Sequence, residues 1–214
     1  MPHMSIVLVP IGKVVPAEMR ALRNALKAAL SRDVTLGGEV LLPAAALNAA
    51  RSQYDAEVVL KALMFSRETA GPGRVLGVTG VDLYFPGMNF VFGIAGRRCA
   101  LISLHRLRQP FYNLPDDTGI FQRRAVVEAV HELGHTFGLA HCEDPGCVMH
   151  FSNTIVETDR KGSVFCVACR SRVFAGKATA RGSGYEGGGP VRSGRHLSEP
   201  GAEPGRRAGR RPPG

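Results

Sequence analysis

Short apolar runs alternate with segments of helical period between residues 5 and 174 of this 214-residue chain. That alternation reads as an α/β (α+β) fold, helices packed on a sheet. Residues 5–11 form a continuous apolar run and predict a buried strand. Pro16-Ala-Glu opens a helix with Met19, Leu22, Leu26 and Leu30 on one face. Glu39 to Leu42 predicts a second strand, and Ser52 a cap for a helix carrying Ala56, Val59, Leu60 and Leu63 at helical spacing. Arg74 to Thr79 predicts a third strand. Asn89 to Ala95 and Cys99 to His105 are β-rich runs joined by Gly96-Arg-Arg, which reads as a hairpin. No internal repeat is visible.

A longer helix is expected to begin near Asp117 or Thr118, both good caps. Ile120, Val127, Val130, Gly134 and Phe137 fall on one face, expected against the sheet. Glu128, His131, Glu132 and His135 fall on another, expected to open to a cleft. The competing reading is a core helix with incidental histidines. It would bury two imidazoles and a carboxylate unpaired, at considerable cost.

This helix carries His131-Glu132-Leu-Gly-His135, followed by Gly138 and His141. Residues at i and i+4 point the same way, so two imidazoles can reach one zinc without bending the backbone. Gly138 is the expected stop, since glycine accepts the left-handed conformation that reverses a chain. The reversal would swing His141 under the metal as third ligand. Three protein ligands leave a fourth position for water, the mark of a catalytic rather than a structural zinc. Glu132 lies beside the first histidine, placed to take a proton from that water.

Cys142 and Cys147 are separated by four residues, Cys166 and Cys169 by two. Two such pairs are the signature of a closed four-thiolate zinc site; the alternative is a pair of disulfides or ordinary buried thiols. Cys99 sits in an apolar run and reads as a small core residue.

The stretch His131-Glu-Leu-Gly-His-Thr-Phe-Gly138-Leu-Ala-His141-Cys142, with Cys147-Val-Met149 and Cys166-Val-Ala-Cys169, resembles the archaemetzincins, metzincin-type zinc metallopeptidases with an added four-cysteine zinc site. Arg74-Val-Leu-Gly-Val-Thr and the run from Asp82 to Gly93 are also similar to that family, so the resemblance covers most of residues 4 to 174. It implies a metzincin-like twisted mixed sheet with an antiparallel edge strand, backing helices and an active-site helix carrying HExxH. It also implies two zinc ions. His131, His135 and His141 would hold the catalytic one, with Glu132 as general base, and Cys142, Cys147, Cys166 and Cys169 the structural one. Met149 would be the methionine of the turn under the metal. His150 departs from the family pattern, which has asparagine there. The resemblance further suggests that the outer strand near Asn89 to Ala95 pairs with an extended peptide substrate. The alternative is an edge covered by a loop. Tyr112, His105 and His150 are the nearest candidates by sequence for steadying an oxyanion, each with a structural role as alternative. The acceptor for each ligand's second ring nitrogen is not identifiable from sequence.

Net charge is +9, and five of those nine charges lie in residues 176–214, where eight Lys or Arg face three Glu. The same residues hold eleven Gly and five Pro with few large apolar side chains. Such a segment cannot offset its ordering entropy by burial, so 1–174 is expected to be the metallopeptidase domain and 175–214 a disordered basic tail. A basic tail can touch nucleic acid through phosphates. With Tyr185 its sole aromatic, stacking is largely missing, and a solvated tail is the favoured reading. The apolar stretch Ser5 to Val9 is too short to span a membrane and has no basic region before it. No membrane partner and no secretory leader are therefore expected, and thiols that serve metals suggest the cytoplasm.

Three function classes follow: a zinc peptidase acting on peptides or proteins, a peptide- or protein-binding module that keeps zinc with little turnover, and a nucleic-acid adaptor using the tail. Glu132 favours the first, because a pure binder needs no base there.

Overall fold

The computed structural model describes residues 5–174 and 191–192. In chain order the elements are β1 (Ile6–Ile11), α1 (Pro16–Leu30), β2 (Val34–Leu36), β3 (Leu47–Asn48), β4 (Gln53–Asp55) and α2 (Ala56–Met64). Next come β5 (Arg74–Thr79), β6 (Leu83–Tyr84), β7 (Gly93–Ala95), β8 (Cys99–Ser103) and α3 (Thr118–Thr136). The last are α4 (Ile155–Arg160), α5 (Val167–Phe174) and β9 (Val191–Arg192). The main sheet has the order β2-β1-β5-β8-β7-β9. β2, β1, β5 and β8 run parallel, while β7 is antiparallel to β8 with Gly93 opposite Ile102. A mixed sheet with an antiparallel strand toward one edge is the architecture expected of a metzincin-like fold.

Because the central strands are covered on both faces, their apolar runs are continuous rather than alternating. One core lies between the sheet and the pair α1 and α3, with Leu8, Leu26, Leu76, Ile102 and Val130 fully buried. The other lies between the sheet and α2, built on Val9, Val59, Leu63 and Leu101. The apolar face of α1 is the set Met19, Leu22, Leu26 and Leu30 that its spacing predicts.

Four expectations are corrected. Glu39 to Leu42 is not a strand: Val34 to Leu36 takes the edge of β1 instead, Val40 makes one isolated bridge to Ile11, and Leu41 is 81% exposed. Ser52 does not cap α2. It sits in a turn at φ 52°, and the Asp55 side chain three residues on accepts from the N–H groups of Glu57 and Val58. The strand starts at Gly93 rather than Asn89, because Val91 and Met88 bond back to Leu83 and Phe85. Arg51 and Gln53 also hold the Asn89 carbonyl. Finally, the chemical face of α3 is more enclosed than expected: Glu128, His131, Glu132 and His135 are all buried, though His135 lines a cleft at the helix end, whereas Ile120 at its start is exposed. The residues after α3 cover that side of the helix.

The proposed tail, 175–214, lies outside the described residues except for Val191 and Arg192. These pair antiparallel with β7, Val191 opposite Ala95 and Arg192 opposite Ile94. The expected free edge is therefore partly taken by the chain itself. No helix among the described residues is long and apolar enough to cross a membrane.

Candidate metal centres

Asp117 caps α3 by accepting from the N–H of Ile120, and Gly138 ends it at φ 89°. Gly138 thus does what its position in the sequence predicts. The chain turns back, and His131, His135 and His141 bring one ring nitrogen each within 4.8 Å of the others. The Nε2 atoms of His131 and His135 are 3.1 Å apart. A tetrahedral zinc with bonds of about 2.05 Å separates neighbouring nitrogens by roughly 3.3 Å, so this pair suits that ion. Their other nitrogens are engaged by main chain: His131 Nδ1 with the Val148 carbonyl at 2.8 Å and His135 Nδ1 with the Leu139 carbonyl at 2.8 Å. These carbonyls orient the rings and fix Nε2 as the free donor. Main-chain acceptors carry no residue signature, so no reading of the sequence could have found them.

The rings are held neutral, as ligands must be. Burial drives His131 well below the ordinary imidazole value, with the Lys161 ammonium adding to it, and burial brings His135 down to about 4. Burial also lowers His141, less so because its side chain is exposed. A histidine depressed in the folded state is protonated more readily when unfolded. The contribution of these histidines to the stability of metal-free protein is therefore fully present above about pH 6.5 and is lost as pH falls from there toward 4. Each unit of His135 depression is worth about 1.4 kcal/mol. Thermal melts of chelator-treated protein at pH 7.5, 6 and 5 should show a progressive drop; a flat profile would refute it.

Glu132 is fully buried and lies directly against β7. A Cβ built on Gly93 would stand 2.6 Å from Glu132 Cγ and 2.8 Å from Oε1. Only glycine lets β7 pass this close to the carboxylate. Met149 is fully buried beneath the helix, and a Cβ on Gly134 would collide with its sulfur. Gly134 therefore faces Met149 and Phe165, not the sheet as its helical position suggested. Of the oxyanion candidates, Tyr112 donates its hydroxyl to the Arg106 carbonyl and His105 packs on Phe111. His150 Nδ1 meets the Cys142 carbonyl at 2.9 Å.

The sequence pattern carries no sign of a further feature of this region. Lys161, 1% exposed, puts Nζ 3.3 Å from Glu128 Oε1 and 3.4 Å from His131 Nδ1, and Thr158 also donates to Glu128. Arg124 and Asp159 form a second, bidentate link between α3 and α4 at 2.8 and 2.7 Å. Glu128 thus serves as an anchor for the following segment rather than as a cleft residue. Removing one partner of a buried pair leaves the other charge uncompensated, at about 3 kcal/mol or more. Glu128→Ala should lose that much in denaturant melts, and Glu128→Gln/Lys161→Met should recover most of it. A Glu128→Ala loss under about 1 kcal/mol would contradict the anchor role.

The second cluster lies beyond His141. Cys142, Cys147, Cys166 and Cys169 place their sulfurs within 4.8 Å of one another, and Cys142 to Cys166 is 3.9 Å. Tetrahedral zinc with Zn–S of about 2.3 Å sets sulfurs roughly 3.8 Å apart. No disulfide forms: all five cysteines are free, and Cys99 is buried in the core below α2 as expected. The Cys169 N–H draws the Cys166 thiol down to about 7, while burial pushes Cys147 and Cys169 up.

A family model described as peptidase family M54 matches residues 19–174. An archaemetzincin of Pyrococcus furiosus is 44% identical over 172 residues, 77% of this chain and 89% of that protein. Among solved structures, the archaemetzincin of Methanopyrus kandleri superposes with a TM-score of 0.69 at 38% identity, covering 80% of this chain and 93% of its own. A zinc-dependent peptidase from Methanocorpusculum labreanum gives 0.71 at 32% identity, covering 78% and 99%.

Proposed function

We propose, from the premise that the chain belongs to the archaemetzincins of peptidase family M54 and is a zinc metallopeptidase, the following division of labour. His131, His135 and His141 hold a catalytic zinc, Glu132 is the general base, and Cys142, Cys147, Cys166 and Cys169 hold a second, structural zinc. The observation that carries this reading is the convergence of three neutral imidazoles one residue from a carboxylate that lies against β7.

Zinc supplies Lewis acidity when bound, polarising the scissile carbonyl and making water easier to deprotonate. Glu132 accepts the proton as water oxygen attacks the carbonyl carbon, then delivers it to the amine nitrogen as the C–N bond breaks. Its burial keeps the carboxylate out of bulk water, which strengthens its interactions within the site and limits proton leakage. Once Val191 and Arg192 give up their place on it, the outer side of β7 aligns an extended peptide through main-chain hydrogen bonds, so binding depends little on sequence along that edge. The Val148 and Leu139 carbonyls hold the imidazoles in place throughout. We assign a peptide or protein substrate and, from five free thiols, a cytoplasmic setting.

A second reading, a peptide-binding module with little turnover, draws on the pairing of β7 with residues 191–192. Metal analysis with a peptide-library cleavage assay separates the two. Wild type should carry two zinc ions per chain, and His135→Ala and Cys166→Ser one each. A single zinc in wild type would remove the two-site assignment. Full zinc loading without cleavage of any library member would favour the binding module.

A further inference from the structure

A cleft of about 720 Å³ opens where the C-terminus of α3 meets the start of β5 and the turn joining β7 to β8. Arg74, Arg97 and Arg98 line it beside His135, Phe137 and Gly138, and none of its lining residues is Asp or Glu. Arg32 adds a fourth guanidinium close by. It and Arg74 lie 5.2 and 5.8 Å from the centroid of the Phe137 ring. Burial and the like charges of Arg98 and Arg32 lower the Arg74 guanidinium from its ordinary value. The Arg74 Nε is buried without a hydrogen-bond partner among the described residues.

A cluster of like charges in one pocket is unfavourable unless it serves something. Neutralising the negative end of α3 is the nearest structural duty, and it is already met. The N–H groups of Phe137, Gly138 and Leu139 take the carbonyls of Leu133, Gly134 and His135. Arg98 has a backbone role, since its guanidinium holds the carbonyls of Gly71 and Gly73. No such bond accounts for Arg74, and the Arg97 side chain is exposed.

We propose that this cleft is a specificity subsite that receives acidic side chains of a peptide substrate on the N-terminal side of the scissile bond. The side follows from strand direction. β7 runs from Gly93, which covers Glu132, to Ala95 and then into the turn bearing Arg97 and Arg98. A strand antiparallel to it has its earlier residues nearest that turn, the orientation Val191 and Arg192 adopt. His135 lines the cleft, so the subsite is continuous with the imidazole cluster. Guanidinium groups suit carboxylates because their planar donor forks match both oxygens. The inference rests on the peptidase reading, with β7 as the substrate edge.

The test uses full-length, zinc-loaded protein and two fluorogenic peptides, identical except for Glu-Glu or Gln-Gln preceding the cleaved bond. Wild type should favour the acidic peptide by about tenfold in kcat/KM, mainly through KM, and the preference should shrink in high salt. Arg74→Gln/Arg97→Gln should bring the ratio to about twofold or less, and Arg97→Glu alone should lower it to about threefold. The second variant changes an exposed side chain, so it keeps the test decisive if Arg74 replacement harms folding. Equal rates for both peptides in wild type, or a ratio unchanged in both variants, would overturn the proposal. Anisotropy of the same labelled peptides on zinc-loaded Glu132→Gln separates the two layers of the argument. An acidic preference in binding, with no cleavage by wild type, would retire the peptidase reading and leave the subsite standing. Binding without preference would retire the subsite alone.

Discussion

Glu132→Gln is expected to lower peptide hydrolysis by about 10³-fold, within the range of roughly 10²–10⁴ that a positioned general base contributes. Glutamine has nearly the same shape, so it fits the space that Gly93 leaves beside the side chain. What it lacks is the ability to take up a proton. The loss should fall on kcat, with KM changed less than threefold, because substrate is held by β7 rather than by this carboxylate. Zinc content should remain that of wild type, since Glu132 is not among the clustered ligand atoms. Residual cleavage above about a tenth of wild type would remove Glu132 from the role of base.

Stripping metal should produce the largest structural effect. Between Gly138 and Phe174 the chain forms two helices, α4 of 6 residues and α5 of 8, and otherwise runs as turns and loops. Isolated helices this short are unstable in water, so the segment relies on packing and on its ligand groups. Structural zinc contributes about 10–16 kcal/mol of apparent binding free energy at neutral pH. That exceeds the net stability of many domains, roughly 5–15 kcal/mol. The sheet, by contrast, has an apolar core on each face: Cys147 and Cys169 join the one shared with α1 and α3, whereas the core against α2 draws on no residue of 138–174. Amide exchange on chelated protein should therefore show residues 138–174 losing protection by 10²-fold or more, while β1, β5 and β8 keep theirs. The buried links from Glu128 to Lys161 and from Arg124 to Asp159 should hold α4 longest. Equal protection of the segment with and without metal would refute this order.

The family model covers residues 19–174, and the solved archaeal relatives share the fold.

What the sequence determined is local. A period of 3.6 residues obliges His131 and His135 to share a helix face, a glycine at position 138 releases the chain into a left-handed turn, and short cysteine spacings suit one tetrahedral ion. The buried faces of α1 and α2 and the bounds of β5 were legible for the same reason, because hydrophobic spacing and strand length are properties of a contiguous segment. Short edge elements were not. Val34 to Leu36 displaces Glu39 to Leu42 beside β1 because pairing depends on which segment the turn delivers to the edge, and that is a competition between distant residues. The same limit hid the Val148 and Leu139 carbonyls, the Lys161 ammonium against Glu128 thirty-three residues earlier in the chain, and the meeting of Arg32, Arg74 and Arg98. Each of these is a contact between parts of the chain that only folding brings together, and a one-dimensional pattern has no term for the distance between them.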